Sequence, residues 1–247
     1  MEAPTQDPAP TQSPTQAESQ SRADIYLSTA LLTLVGVGAL QILSTAVPAK
    51  GRVAFGVFWT PVMFVALAMV LARLTGVRSW ATLFGKETRT ITVLKYLALI
   101  SGVGLLTQAL DVWAVARMTP EVVRGHQLAI FRLPAPNVML FRSFVGSPIS
   151  EELLFRGWLL GWFNRQGLPP LKILGASLDQ AVLLTSLSFA VVHLVSLGGI
   201  PWALRIGSIL VIAYPLGLAR QKCGGLLAPM IGHFLLNFIG GSFFKFR

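Results

Sequence analysis

Within the apolar run Ser147–Phe163, "SPISEELLFRGWLLGWF", this chain places Glu151, Glu152 and Arg156. Ionisable side chains in such a run cost roughly 3 kcal/mol each to insert into a bilayer, usually face the interior of a helix bundle, and mark candidate sites. Glu152 and Arg156 are four residues apart, so on a helix they stack on one face and can pair, which removes much of the cost of burying either. Glu151 lies about 100° away round the helix and is left without that partner. A carboxylate in that position can act as a general base near neutral pH. A salt-bridged helix end at a membrane surface would leave the same triplet, so the triplet alone does not decide.

Two further polar sets lie in other apolar runs. "FAVVH", Phe189 to His193, puts an aromatic ring and an imidazole on one helical face. "HFLLN", His233 to Asn237, does the same with an imidazole and an amide. Each has a plain structural reading: a histidine bonded to a neighbouring carbonyl, and polar glue between helices. The three sets together carry more. At about 1.5 Å rise per residue each falls inside its run, so a carboxylate pair, two imidazoles and an amide can meet in one buried pocket. Other protease chemistries lack their residues: there is no His-Glu-x-x-His helix for zinc, no Gly-x-Gly-Asp signature and no Gly-x-Ser-x-Gly elbow. Asp111 and Asp179 stand near the ends of apolar runs, and His126, in a polar stretch, is assigned no role.

The elements that must position these groups follow from composition. Of 247 residues, 53% are hydrophobic and 12% charged, against about a quarter charged in an average soluble protein. Several uncharged runs of about twenty residues are long enough to cross a bilayer as helix. The expected fold is an all-α polytopic transmembrane bundle of about seven spans: Ile25–Val47, Val53–Ala72, Ile91–Val115, Phe144–Phe163, Leu178–Leu197, Trp202–Ala219 and Leu226–Phe244. Residues 1–23, rich in Pro, Thr and Gln, cannot bury enough apolar surface to order and are expected to be a disordered tail. Residues 24–116 form the N-terminal transmembrane helices, 117–143 an interfacial amphipathic segment, and 144–247 the catalytic transmembrane core. The net charge of +10 is scattered through short loops, with no basic cluster or aromatic-basic platform, which argues against nucleic-acid binding. Basic residues are nearly balanced between the two sides, so topology is not set by charge. Cys223, in "RQKCGG", is the one cysteine; this excludes an intrachain disulfide and a cysteine-cluster metal site, and reads as an incidental loop thiol.

The sets "EELLFR", "FAVVH" and "HFLLN", in that order, resemble the CPBP family: the type II CAAX prenyl endopeptidases and the related bacteriocin-processing and immunity proteins. The resemblance covers Ser147 to Asn237. It implies a glutamic-type intramembrane endopeptidase in which Glu151 and His193 hold and activate a water, and His233 and Asn237 stabilise the oxyanion. Glu152 and Arg156 position the catalytic helix, and Phe189 supports His193. It implies a lipid-embedded, multi-pass protein, expected in a bacterial inner membrane, acting on a membrane protein or lipidated peptide substrate near its C-terminus. No cofactor is expected, with zinc on Glu151, His193 and His233 as the alternative, because an open three-ligand site has that composition. A proton-coupled transporter would also carry buried Glu, His and Arg, but calls for broken helices and an internal repeat, and neither is evident. A non-catalytic membrane scaffold or immunity protein of the same family is the third alternative.

Overall fold

The computed structural model describes residues 59–77, 90–115, 117, 145–193 and 202–243. The tail 1–23, the first expected span, His126 and all but one residue of the expected interfacial segment lie outside the described residues. Those described are mostly helical, in six helices. We number them α1 (Thr60–Leu74), α2 (Thr90–Val115), α3, α4 (Gln180–Val192), α5 (Trp202–Cys223) and α6 (Leu227–Phe243). Helix α3 is a continuous rod of three pieces: α-helical Ser147–Glu152, π-helical Leu153–Leu159 and α-helical Leu160–Arg165.

Local sequence explains several of the boundaries. Pro61 and Pro148 sit in the first turns of α1 and α3, where a missing N–H costs nothing. Asp179 caps α4: its carboxylate accepts the Val182 N–H at 2.9 Å, a bond of the kind that contributes about 1 kcal/mol. Gly224, with φ 67°, takes the left-handed position that ends α5, and α6 begins three residues later, so the two run antiparallel.

Two expectations are corrected here. The chain is not purely helical: Leu171–Ile173 (β1) and Ala176–Leu178 (β2) form an antiparallel hairpin, so α4 starts at Gln180 rather than Leu178. And Cys223 is not a loop thiol. It is the last residue of α5 and is buried, in a cluster with Ile100, Leu216 and Leu236.

The rod α3 runs through the packing. Its π-helical piece is buried throughout from Leu154 to Leu159 and packs against α1 and α4. Trp158 Nε1 donates to Thr75 Oγ1 at 3.0 Å, and the Arg165 guanidinium donates to the carbonyls of Thr75 and Gly76, tying the end of α1 to the end of α3. Helix α5 packs on α2, α4 and α6, and α6 packs on α2 and α3. The approach of α5 to α4 requires glycine: a Cβ at Gly217 would stand 2.6 Å from Val182 Cγ1.

Besides an apolar core, the interior holds several polar groups, and many large apolar side chains face outward. Glu152, Arg156, Ser150, Thr185, Ser186 and His233 are buried, while Leu94, Leu99, Leu106, Leu110, Val211 and Phe238 are exposed. Among the described residues, one helical stretch, Thr90–Asp111, is both long and apolar enough to cross a membrane, and little of it is buried.

Candidate active site

Three helices bring the three polar sets together. Glu151 and Glu152 stand where α3 passes from α-helical to π-helical, a kind of irregularity found often at functional sites. His193 caps the C-terminal end of α4, and His233 lies in the second turn of α6.

The expected pair is made. Arg156 Nη1 donates to Glu152 Oε1 at 3.0 Å, with both side chains fully buried. The guanidinium has two further contacts: Nη2 donates to the Ala213 carbonyl at 3.1 Å, and its carbon stands 4.5 Å over the Phe189 ring, while Nε is buried with no hydrogen-bond partner among the described residues. Glu152 has a second partner that sequence reasoning did not supply. His233 Nδ1 lies 2.8 Å from Glu152 Oε1, so one carboxylate oxygen joins Arg156 on its own helix to an imidazole on α6. Glu152 therefore does more than position its own helix.

Glu151, which does not share Arg156, has a partner of its own: the Ser147 hydroxyl, one turn earlier on the same face, donates to its Oε1. Ser147 was passed over in sequence although the four-residue spacing was there to be read. The bond leaves Oε2, which is buried and has no hydrogen-bond partner among the described residues. This oxygen lies 3.6 Å from His193 Nε2 and 3.9 Å from His233 Nε2. Both separations are beyond direct hydrogen bonding and suit one small polar group held between the three atoms.

The other ring nitrogens fix what those two Nε2 atoms present. His193 Nδ1 lies 2.8 Å from the Phe189 carbonyl, which only accepts, so Nδ1 carries the proton and the neutral ring offers a lone pair at Nε2. His233 Nδ1 faces a carboxylate and likewise donates. Phe189 fills the space between these groups, its centroid 4.4 Å from the His193 ring, 5.9 Å from the His233 ring and 5.0 Å from that of Phe155. Asn237 is half-buried on α6, one turn beyond His233 and on the same face.

A zinc ion held by Glu151, His193 and His233 fits poorly. Bonds of about 2.0 Å in a tetrahedron put neighbouring donor atoms about 3.3 Å apart. The 3.6 and 3.9 Å separations are wider, and no three His, Cys, Asp or Glu side chains among the described residues are spaced to hold a metal.

Residues 133–239 match the family described as type II CAAX prenyl endopeptidase Rce1-like. No curated protein and no solved structure matches the chain. The matched segment includes every member of the three polar sets, and the helices gather those sets around one carboxylate oxygen. This match to an Rce1-like segment supports membership of the CPBP family.

Proposed function

We propose that the chain is a multi-pass intramembrane endopeptidase, of the CAAX-type protease class suggested by its family, that hydrolyses a peptide bond with a water activated by Glu151 and His193. The observation that carries this reading is the Glu151 carboxylate: one oxygen is held by Ser147, and the other is buried opposite two imidazole Nε2 atoms at 3.6 and 3.9 Å.

A water lying between Oε2 and His193 Nε2 meets two acceptors. It donates one proton to each, and its two lone pairs point away from both, one of them toward a scissile carbonyl carbon. As the new C–O bond forms, the water proton passes to Glu151 Oε2 and the carbonyl electron pair moves onto oxygen. Asn237, through its amide, and His233, when it enters the cycle with a solvent-derived proton on Nε2 that it keeps throughout, donate to that oxyanion, usually the largest single contribution in acyl transfer. The Glu152 carboxylate at Nδ1 balances the positive ring. When the intermediate collapses, the C–N bond breaks and the amine leaves with the proton from Glu151. Arg156 holds Glu152, and Phe189 packs between the two rings. No metal takes part in this scheme.

The apolar outer faces of α1, α2, α5 and α6, carrying Val62, Leu106, Val211 and Phe238, support the reading that these helices lie in lipid. The substrate class that follows is a membrane-associated peptide, prenylated or bearing a C-terminal sorting tail, and the expected setting is a bacterial inner membrane. Residues 144–247 form the catalytic core in this scheme, with 24–116 as the preceding membrane helices. Two variants test the scheme: Glu151→Gln keeps the bond from Ser147 but cannot accept the proton, and His193→Ala removes one of the water's acceptors. Membrane peptides from cells carrying the parent, each variant or no copy are compared by mass spectrometry. Products present with the parent and lost with both variants are expected. Cleavage undiminished by Glu151→Gln rules out Glu151 as the base.

A further inference from the structure

At the end of the bundle away from His193, the loop between α3 and α4 folds into the β1–β2 hairpin. Its register pairs Leu171 with Leu178, Lys172 with Ser177 and Ile173 with Ala176. Alternation along a strand therefore puts Leu171, Ile173, Ala176 and Leu178 on one face, and Lys172 and Ser177 on the other. The two-residue turn is Leu174–Gly175, with φ of 50° and 81°. Positive φ at both positions is the type I′ geometry, which favours Asn-Gly or Asp-Gly because a side chain at the first position is crowded. Here that position holds a leucine, the whole of which is exposed, at 102%.

A two-stranded hairpin is marginal in water, and this one carries an uncovered apolar face and an apolar tip in a strained conformation. The surroundings indicate what covers it. Arg165 bonds the backbone after α1, and Gln221 of α5 bonds both Asn164 and Asp179, so this end also carries Arg73, Arg165, Lys172 and Lys222, all exposed. The acid at this end among the described residues, Asp179, is occupied by the Val182 N–H and by Gln221. Apolar side chains at an end that also carries four exposed cations complement the boundary between acyl chains and anionic headgroups.

We infer that the Leu171–Leu178 hairpin is a membrane-interface foot. Leu174 and the face bearing Leu171 and Ile173 lie at the headgroup–acyl boundary of an anionic bilayer, and Lys172 with its basic neighbours meets the phosphates. This rests on the reading that the helices span the bilayer, and the experiment separates the two.

The full chain, in a Cys223→Ala background, carries a polarity-sensitive fluorophore at Leu174→Cys or, as a reference for the spanning reading, at Leu99→Cys on the exposed face of α2. Each is reconstituted in nanodiscs of phosphatidylcholine alone or mixed with phosphatidylglycerol. Quenching by aqueous iodide and by lipid nitroxides at headgroup and chain depth is then read. The expected result at Leu174 is quenching by the headgroup nitroxide and an about threefold drop in iodide quenching when phosphatidylglycerol is present. Lys172→Glu should weaken that dependence on anionic lipid. A Leu99 label quenched by chain nitroxides, with a Leu174 label open to iodide in both lipids, overturns the foot and leaves the spanning helices standing. If neither label senses lipid, the spanning reading falls as well. A Leu174 label open to iodide in nanodiscs but shielded in native membranes identifies a protein partner as the cover and also overturns the proposal.

Discussion

Replacing Arg156 with methionine removes the guanidinium from the buried polar centre while keeping most of its volume. Three contacts go with it: the 3.0 Å bond to Glu152, the 3.1 Å bond to the Ala213 carbonyl and the guanidinium over Phe189 at 4.5 Å. The larger consequence is what stays behind. Glu152 is wholly buried, and after the change its carboxylate retains only His233 among the described partners. Removing one partner of a buried ion pair typically destabilises by about 3–5 kcal/mol, because the other charge is stranded, whereas replacing both partners by neutral groups of similar size is often close to neutral. Loss of the cation–π contact adds about 0.5–2 kcal/mol. Arg156→Met is therefore expected to destabilise by roughly 4 kcal/mol, and Glu152→Gln with Arg156→Met by at least about 2 kcal/mol less than that. Unfolding by sodium dodecyl sulfate in mixed micelles, followed by far-ultraviolet circular dichroism, measures both. An Arg156→Met loss below about 1 kcal/mol, or a double variant no more stable than the single, would refute the claim that Arg156 neutralises Glu152.

Other predictions follow from single contacts. Ser147→Ala frees the Glu151 carboxylate to rotate and is expected to lower kcat by about 10- to 100-fold with little change in KM, while Ser147→Thr, which keeps the hydroxyl, restores most of it; equal losses in both variants would remove Ser147 from the positioning of the base. Gly217→Ala drives a methyl against Val182 and should destabilise by about 1–3 kcal/mol, with recovery on adding Val182→Ala, as read by thermal unfolding in detergent. Cys223 is buried, so in the folded protein maleimide labelling at neutral pH should be slow and should rise on denaturation. Rapid labelling of the native protein at neutral pH would contradict the packing of the α5 end.

The parts of the site legible in sequence are those that depend on spacing along one helix. A separation of four residues was enough for Glu152 with Arg156, which meet at 3.0 Å, and for Phe189 with His193, whose rings lie 4.4 Å apart. The convergence of Glu151 on both imidazoles followed from the rarity of polar groups in apolar runs, which leaves them few places to go but toward each other. The bond from Glu152 to His233 was not legible, because it depends on the rotation of α6 against α3 across 81 residues of sequence. The π-helical piece leaves no mark either: "LLFRGWL" has the composition of an ordinary buried helix. The hairpin was hidden by its own turn, since Leu-Gly is not the Asn-Gly or Asp-Gly pair that announces a two-residue loop. Ser147 was readable but ordinary, one of many serines near a helix start.

The placement of His233 on α6 has a consequence for biosynthesis. Helix α3 is synthesised with Glu151 and Glu152 in place, but the imidazole that lies near both comes only with the last helix described, after α4 and α5. Until α6 emerges from the ribosome and docks, the polar centre lacks His233 and Asn237. Under the proposed scheme, a copy in which α6 has not yet docked is inert, so the docking of α6 doubles as the arming step.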